Sequence, residues 1–311
     1  MIIHNTHQAQ PSKSPALQPA VTEGYIRMGI MIGTANYFGD VYADASSTRP
    51  SVAVFMTRKI SPHTHIRINL SMGRIEGDDA KATEGSSLYA RNLHFRNDLR
   101  EIFVGFEYDF KASYGKHKKR KDFTPYFVGG IALLHHNPQA KTPTYLGNNW
   151  VDLQALGTEG QGQIGYDKPY SKVQITIPLG LGLKFKIDNR WDFGMEIVPR
   201  FTFTNYLDDV AGTYPNLDDL GNPLAAAMSN RTLETIASNT NKKRNLELLY
   251  ANFGSPVVYT GFDGNTYQTL PTFQNGGTNR GNNPLKRDIY LFTGFHLSYI
   301  VNVGLKCPQF R

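Results

Sequence analysis

The residues that could do chemistry in this chain are scattered, and their spacing argues against most reactions. His63 and His65 lie two apart in a strand-like segment and so share a face, but no third ligand accompanies them. His135 and His136 are adjacent, so a strand sends them to opposite faces, which suits chelation poorly. Packing or an interfacial role is expected for both pairs. Asp208-Asp209 and Asp218-Asp219 offer carboxylates to calcium, yet the EF-hand spacing is missing, and turn or helix capping accounts for them. No GxSxG elbow, HExxH, Walker A or strand–GxGxxG–helix unit is present. Cys307 is the only cysteine, which excludes a disulfide framework and a Cys-based zinc site. The expectation is a protein that is not an enzyme and holds no metal or cofactor.

The elements that must position these groups are strands. The chain has 311 residues, 40% hydrophobic and 19% charged, enough apolar material for a large core. Lys plus Arg outnumber Asp plus Glu by 33 to 26, a net charge of +7 that leans toward an acidic partner. No apolar run reaches the roughly 18 residues of a membrane-crossing helix. Residues 1–20 are polar and punctuated by prolines, with no apolar stretch readable as a secretory signal. From there on apolar residues recur mostly at every second position, at 25–33, 51–60, 65–73, 100–110, 124–134, 173–187, 191–203 and 288–301. Connections alternate in length: short or modest at Ser61-Pro62, 111–122 and 188–190, long at 34–50, 74–97, 137–171 and 205–287. A meander with that rhythm puts all the long loops at one end. The pattern predicts an all-β fold, an eight-stranded antiparallel up-and-down transmembrane β-barrel with long extracellular loops and both termini in the periplasm. Its expected parts are a flexible arm at 1–23, the barrel at 24–304 with the long outer loop 205–287, and a periplasmic tail at 305–311.

Face chemistry separates a membrane barrel from a soluble one. The face opposite the apolar one is rich in glycine and carries Arg27, Arg67, Glu101, Glu107, Asp109, Lys184, Lys186, Glu196 and Arg200. Glycines suit the tight interior of a small barrel, whereas on a water-facing strand they only weaken the sheet. These charges nearly balance, so the expected interior is a paired, hydrogen-bonded plug, with an ion pathway as its functional alternative. The densest basic run, Lys116, Lys118, Lys119, Arg120 and Lys121, falls at the periplasmic end. It reads either as a headgroup anchor or as an electrostatic dock for a periplasmic partner. No aromatic interleaving beyond Tyr114 and no recognised module supports nucleic-acid binding. Cys307 falls at the periplasmic rim, where a lone thiol is either packed and inert or bonded to a partner. Loop 205–287 contains Leu220 to Ile236, which suggests one or two short helices, and a glycine- and asparagine-rich mobile stretch beyond. It is expected to cap the barrel or to meet another outer-membrane protein.

Several strings carry a family resemblance: GIMIGTANYFGDVY, GIALLHHNPQAK, LQALGTEGQG, IPLGLGLKFKI, PRFTFTNYLDDVAGTYPN and the closing Cys307-Pro308. From about Gly24 to Pro308 the chain resembles the PorG-type outer-membrane barrels of the Bacteroidetes type IX secretion and gliding-motility machinery. The resemblance implies a non-enzymatic component that ties the outer membrane to a periplasmic ring built of a lipoprotein and its partner subunit. Lys116, Lys118, Lys119, Arg120, Lys121 and Cys307 are the topological candidates for that contact. Family members carry a signal peptide, and this N-terminus shows no recognisable one. The alternatives are a small barrel unconnected with secretion, a narrow pore or an envelope-stability protein, and after those a lipid-modifying enzyme.

Overall fold

Alternating residues set the strands, and a glycine-relieved inner face lets them close on themselves. The structure, a computed structural model, describes residues 23–274, 278–281 and 287–306. The eight barrel strands are β1 (Glu23–Phe38), β2 (Arg49–Lys59), β3 (Thr64–Asp78), β4 (His94–Asp109), β5 (Phe123–His135), β6 (Val173–Lys186), β7 (Trp191–Thr202) and β8 (Ile289–Lys306). Each pairs antiparallel with the next, and β1 pairs with β8 to close the ring. The fold is therefore the expected closed eight-stranded antiparallel barrel. Its strands run from 11 to 18 residues, well beyond the usual five or six of soluble sheets. The arm and the tail read from the sequence lie almost wholly outside the described residues. The barrel itself begins at Glu23 and its last strand reaches Lys306, slightly past the expected 24–304.

Burial is inverted relative to a water-soluble barrel. Ile30, Ile32, Leu70, Val104, Ile131, Leu181, Ile197 and Phe295 all point outward and are 52–67% exposed. Arg27, Arg67 and Glu107 point inward and are at most 1% exposed. A continuous apolar belt that faces outward belongs in hydrocarbon, where closed pairing also leaves no unsatisfied strand edge. Two inner glycines show what the closure requires. A Cβ at Gly182 would lie 2.3 Å from the Tyr126 ring, and one at Gly194 would lie 2.3 Å from His296 Nε2. Their absent side chains make room for two large groups of the mid-lumen.

The two ends differ. Both termini of the barrel and the short connections 60–63, 110–122 and 187–190 share the turn end. At the other end the long connections fold into a cap. The cap contains short helices α1 (Ser87–Arg91), α2 (Pro223–Ser229) and α3 (Leu246–Phe253), the strands Pro138–Lys141 and Trp150–Asp152, and a hairpin of Val257–Thr260 with Thr266–Thr269. One cap core joins Tyr37, Phe95, Leu99, Leu134 and Phe292 from the strand ends to Leu207, Val210 and Met228 from the loops. A second joins Tyr89, Tyr214, Leu249, Leu270 and Phe273. Within Leu220 to Ile236, α2 is the only α-helix, and α3 lies outside the stretch that suggested helices. The glycine- and asparagine-rich stretch around Gly276, Gly277, Asn282 and Asn283 falls outside the described residues.

Candidate functional site

Most of the chemistry this chain concentrates lies in the lumen, in stacked layers. Nearest the turn end, Arg120 pairs with Asp192 at 2.8 Å and also donates to the carbonyls of His117, Asp188 and Asn189. Beside it the His117 amide and imidazole both meet Glu23 Oε2, at 2.7 and 2.8 Å, while Glu23 N–H donates back to Gly115 O. Lys59 Nζ donates to Ser113 O at 2.8 Å. The connection 110–122 is thus folded into the barrel mouth and sewn there.

The next layer centres on Glu107. Arg27 Nη2 donates to both its oxygens at 2.8 Å, Arg67 Nη1 lies 3.4 Å away, and the Lys184 ammonium bonds it as well. Lys184 also bonds Asp109 at 2.6 Å, and Asp109 meets His65 Nε2 at 3.1 Å. Donor atoms of His65, Glu107 and Asp109 lie within 4.8 Å of one another, so tertiary structure gives His65 two carboxylate neighbours while leaving His63 out of the group. The place a cation would take is already held by the Lys184 ammonium. Above this layer Arg67 pairs with Glu196, which also accepts from the Tyr126 hydroxyl at 2.7 Å, and Tyr126 Oη lies 2.9 Å from His296 Nε2. Phe55 lies beneath Arg67 at 4.4 Å, and Phe103, Val128 and Ala132 form an apolar waist with Tyr126. Beyond the waist, Glu101 holds Arg200 and the Tyr290 hydroxyl, and Arg200 lies 4.5 Å over Phe292.

Of the charges assigned to the interior, Arg27, Arg67, Glu101, Glu107, Asp109, Lys184, Glu196 and Arg200 are all buried inside the barrel. Lys186 is the correction. It sits where β6 leaves the barrel, and its Nζ donates to Lys118 O at 2.7 Å in an exposed setting. Arg120 is a second correction. In the basic run Lys116, Lys118, Lys119 and Lys121 are not buried, but Arg120 turns inward and is spent on Asp192 and the turn carbonyls. Carbonyls gathered by tight turns at a barrel mouth need donors, and the fork of a guanidinium reaches several at once. His63 and His65 also part company. β3 begins at Thr64, so His63 lies in the turn, stacked on Tyr108 at 5.3 Å, while His65 is inside. His135 and His136 do face opposite ways, the first exposed and the second buried. Cys307 lies outside the described residues.

At the cap end the aspartates are structural. Asp208 accepts from the Tyr37 hydroxyl at 2.5 Å and from the amides of Val41 and Val210, and burial pushes its carboxyl up to about 8. Asp209 accepts from Thr158 and Tyr170, and burial pushes it up to about 6. Asp218 and Asp219 hold the amide of Phe262 and the hydroxyl of Tyr166. Sequence reasoning missed the cap arginines. Arg91 grips Asp79 and the carbonyls of Asp40 and Arg280; Arg280 grips Glu159 and the Asp209 carbonyl. Arg231 reaches Lys141 O and Ser238, and Arg244 reaches Tyr89 O, Ala90 O and Thr232 O. Long loops bury backbone carbonyls with no ladder to satisfy them, and these guanidiniums do so. The only signal available beforehand was arginine placed among glycine and asparagine in the loops.

Residues 18–154 match a family described as a domain of unknown function (DUF6089). No curated protein matches the chain. Among solved structures it is similar to Neisserial surface protein A, at 8% identity and a TM-score of 0.36, over 89% of this chain and 97% of that one. It is also similar to the outer membrane protein OprG from Pseudomonas aeruginosa, at 6% identity and a TM-score of 0.34, over 90% of this chain and 98% of that one. A major outer membrane protein from Thermus thermophilus gives 10% identity and a TM-score of 0.33, over 88% of this chain and 98% of that one.

Proposed function

We propose that this chain is a bacterial outer-membrane barrel that anchors rather than conducts, holding a periplasmic assembly to the membrane. The observation that carries this reading is the filled lumen. Side chains occupy it from the Arg120–Asp192 pair at the turn end to Tyr37 and Asp208 beneath the cap, with an apolar waist between. An eight-stranded barrel is just wide enough to be filled this way, and paired charges leave no free site for a moving ion. In this reading the turn end and both termini lie in the periplasm and the cap lies outside, the usual distribution of short turns and long loops. The outward Lys116, Lys118, Lys119 and Lys121 then face the periplasm and suit an acidic partner surface.

The finer assignment, to type IX secretion and gliding motility, rests on the sequence strings that resemble PorG-type barrels. On it, the partner is the periplasmic ring of a lipoprotein and its companion subunit, with Cys307 as a second contact. Two measurements test the proposal. In planar bilayers the purified protein should give no stable conductance, and reproducible single-channel steps would replace the anchor with a narrow pore. In native envelopes, crosslinking from the 116–121 turn should capture a periplasmic protein. Capture of none, with secretion intact after deletion of the gene, would leave a barrel of envelope stability alone.

A further inference from the structure

The outward face of β3, β4 and β5 changes character along its length. On β4 the outward residues run Phe106, Val104 and Ile102, then Arg100, Asp98 and Arg96. Charge thus begins where the apolar belt ends, on the cap side. Arg74 lies opposite Asp98 in register and pairs with it at 2.5 and 2.9 Å. Arg96 and Arg100 also crowd that one carboxylate. Arg96 spreads over the Trp150 ring at 3.9 Å and donates to Gln139, and Lys141 lies 5.6 Å over the same ring. The Arg100 guanidinium makes no hydrogen bond or ion pair with a described residue. Arg100 stands between Met72 of β3 and His135 of β5 in register. Directly below it is an apolar groove of about 530 Å³ in the belt, lined by Leu70, Met72, Arg100, Ile102, Leu133 and His135.

Three arginines around one aspartate leave an excess of positive charge at the edge of hydrocarbon, over a groove sized for acyl chain. We propose that this face is a binding site for an acylated lipid with a phosphorylated headgroup, its chain in the groove and its phosphate on Arg96 and Arg100. Guanidinium is the residue type suited to phosphate, since its planar fork donates two bonds to two oxygens. The fixed orientation of Arg96 over Trp150 lowers what binding must order. A soluble anion would use the cations and leave the groove empty; an unphosphorylated lipid would use the groove and leave the cations unpaired. With the cap outside the cell, as proposed above, the lipid belongs to the outer leaflet and is a phosphorylated glycolipid; this leaflet assignment rests on that reading.

The test uses the full chain in detergent with a phosphorylated acyl-glycolipid of the lipid A type, read by native mass spectrometry. A one-to-one adduct should form, and Arg96→Gln with Arg100→Gln should weaken it about tenfold or more. The dephosphorylated glycolipid should bind the wild type no better than the double variant binds the intact lipid. Millimolar inorganic phosphate should not displace the adduct. Heat-modifiable gel migration checks that the variant is folded. Equal binding by wild type and double variant, or equal competition by inorganic phosphate, would overturn the site. Orientation is read separately, by labelling a cysteine placed at exposed Phe262 on intact cells. Binding without surface labelling would overturn the leaflet assignment and the orientation reading together, while surface labelling without binding would overturn the lipid site alone.

Discussion

Glu107 is the position at which the lumen network is most exposed to a single change. Three cations converge on it, but they do not depend on it equally. Lys184 keeps Asp109 at 2.6 Å, and Arg67 keeps Glu196 at 3.1 Å. Among the described residues Arg27 keeps only Asp192 at 3.8 Å as an ionic partner, and its Nε has no hydrogen-bond partner. Glu107→Gln therefore strands essentially one buried charge, that of Arg27, rather than three. Breaking a buried pair on one side costs about 3–5 kcal/mol, because the remaining ion keeps its desolvation penalty without its partner. We expect a loss of that size in urea-dependent folding into lipid vesicles, followed by tryptophan fluorescence and by gel mobility. Second-site changes separate the three cations. Arg27→Met combined with Glu107→Gln should recover most of the loss, since it removes the stranded cation. Lys184→Met in the same background should recover little, since Asp109 still needs its partner. A cost for Glu107→Gln below about 1 kcal/mol, or equal rescue by the two methionines, would refute this account of the network.

Lipid-face substitutions test the outer surface: Leu181→Arg or Ile197→Arg should each cost about 2–4 kcal/mol near the midplane in the same assay, and tolerance of both would reverse the facing. At the turn, Lys116→Glu with Lys118→Glu and Lys119→Glu should weaken capture of the periplasmic partner with folding intact, whereas Arg120→Ala should lower stability by releasing Asp192 and the turn carbonyls. The opposite pattern would make Arg120 the docking residue. The cap should loosen as pH rises. Asp208 and Asp209 hold protons more tightly in the folded cap than in the unfolded chain, so their contribution is full below the ordinary aspartate range and is lost as pH climbs through about 6 and then about 8. Hydrogen exchange of amides 205–211, corrected for intrinsic rate, should be faster at pH 9 than at pH 5, and Asp208→Asn should shrink the difference; equal protection at both pH values sinks the idea.

The barrel is legible in the residue pattern alone. Period-two alternation is a local property, so Ile30, Ile32, Leu181 and Ile197 declare one face and Arg27, Glu107 and Lys184 the other without any knowledge of neighbours. The alternating lengths of the connections then fixed the meander and gathered the long loops at one end. Parity also carried the lumen charges, because a strand interior leaves each side chain only two directions. The places where the reading failed are the places where a strand has ended. Lys186 is the last residue of β6, at the rim where its chain reaches a turn carbonyl, His63 lies in the turn before β3, and Arg120 lies in a turn whose inward fold depends on Asp192, 72 residues away. The convergence of His65, Glu107 and Asp109 around Lys184 comes from register between β3, β4, β5 and β6, which no single strand encodes. That the long connections form a cap with its own cores follows from contacts between segments far apart in the chain. Its arginines find their carbonyls across up to 189 residues of chain, and a pairing that distant leaves no periodicity in the sequence to read.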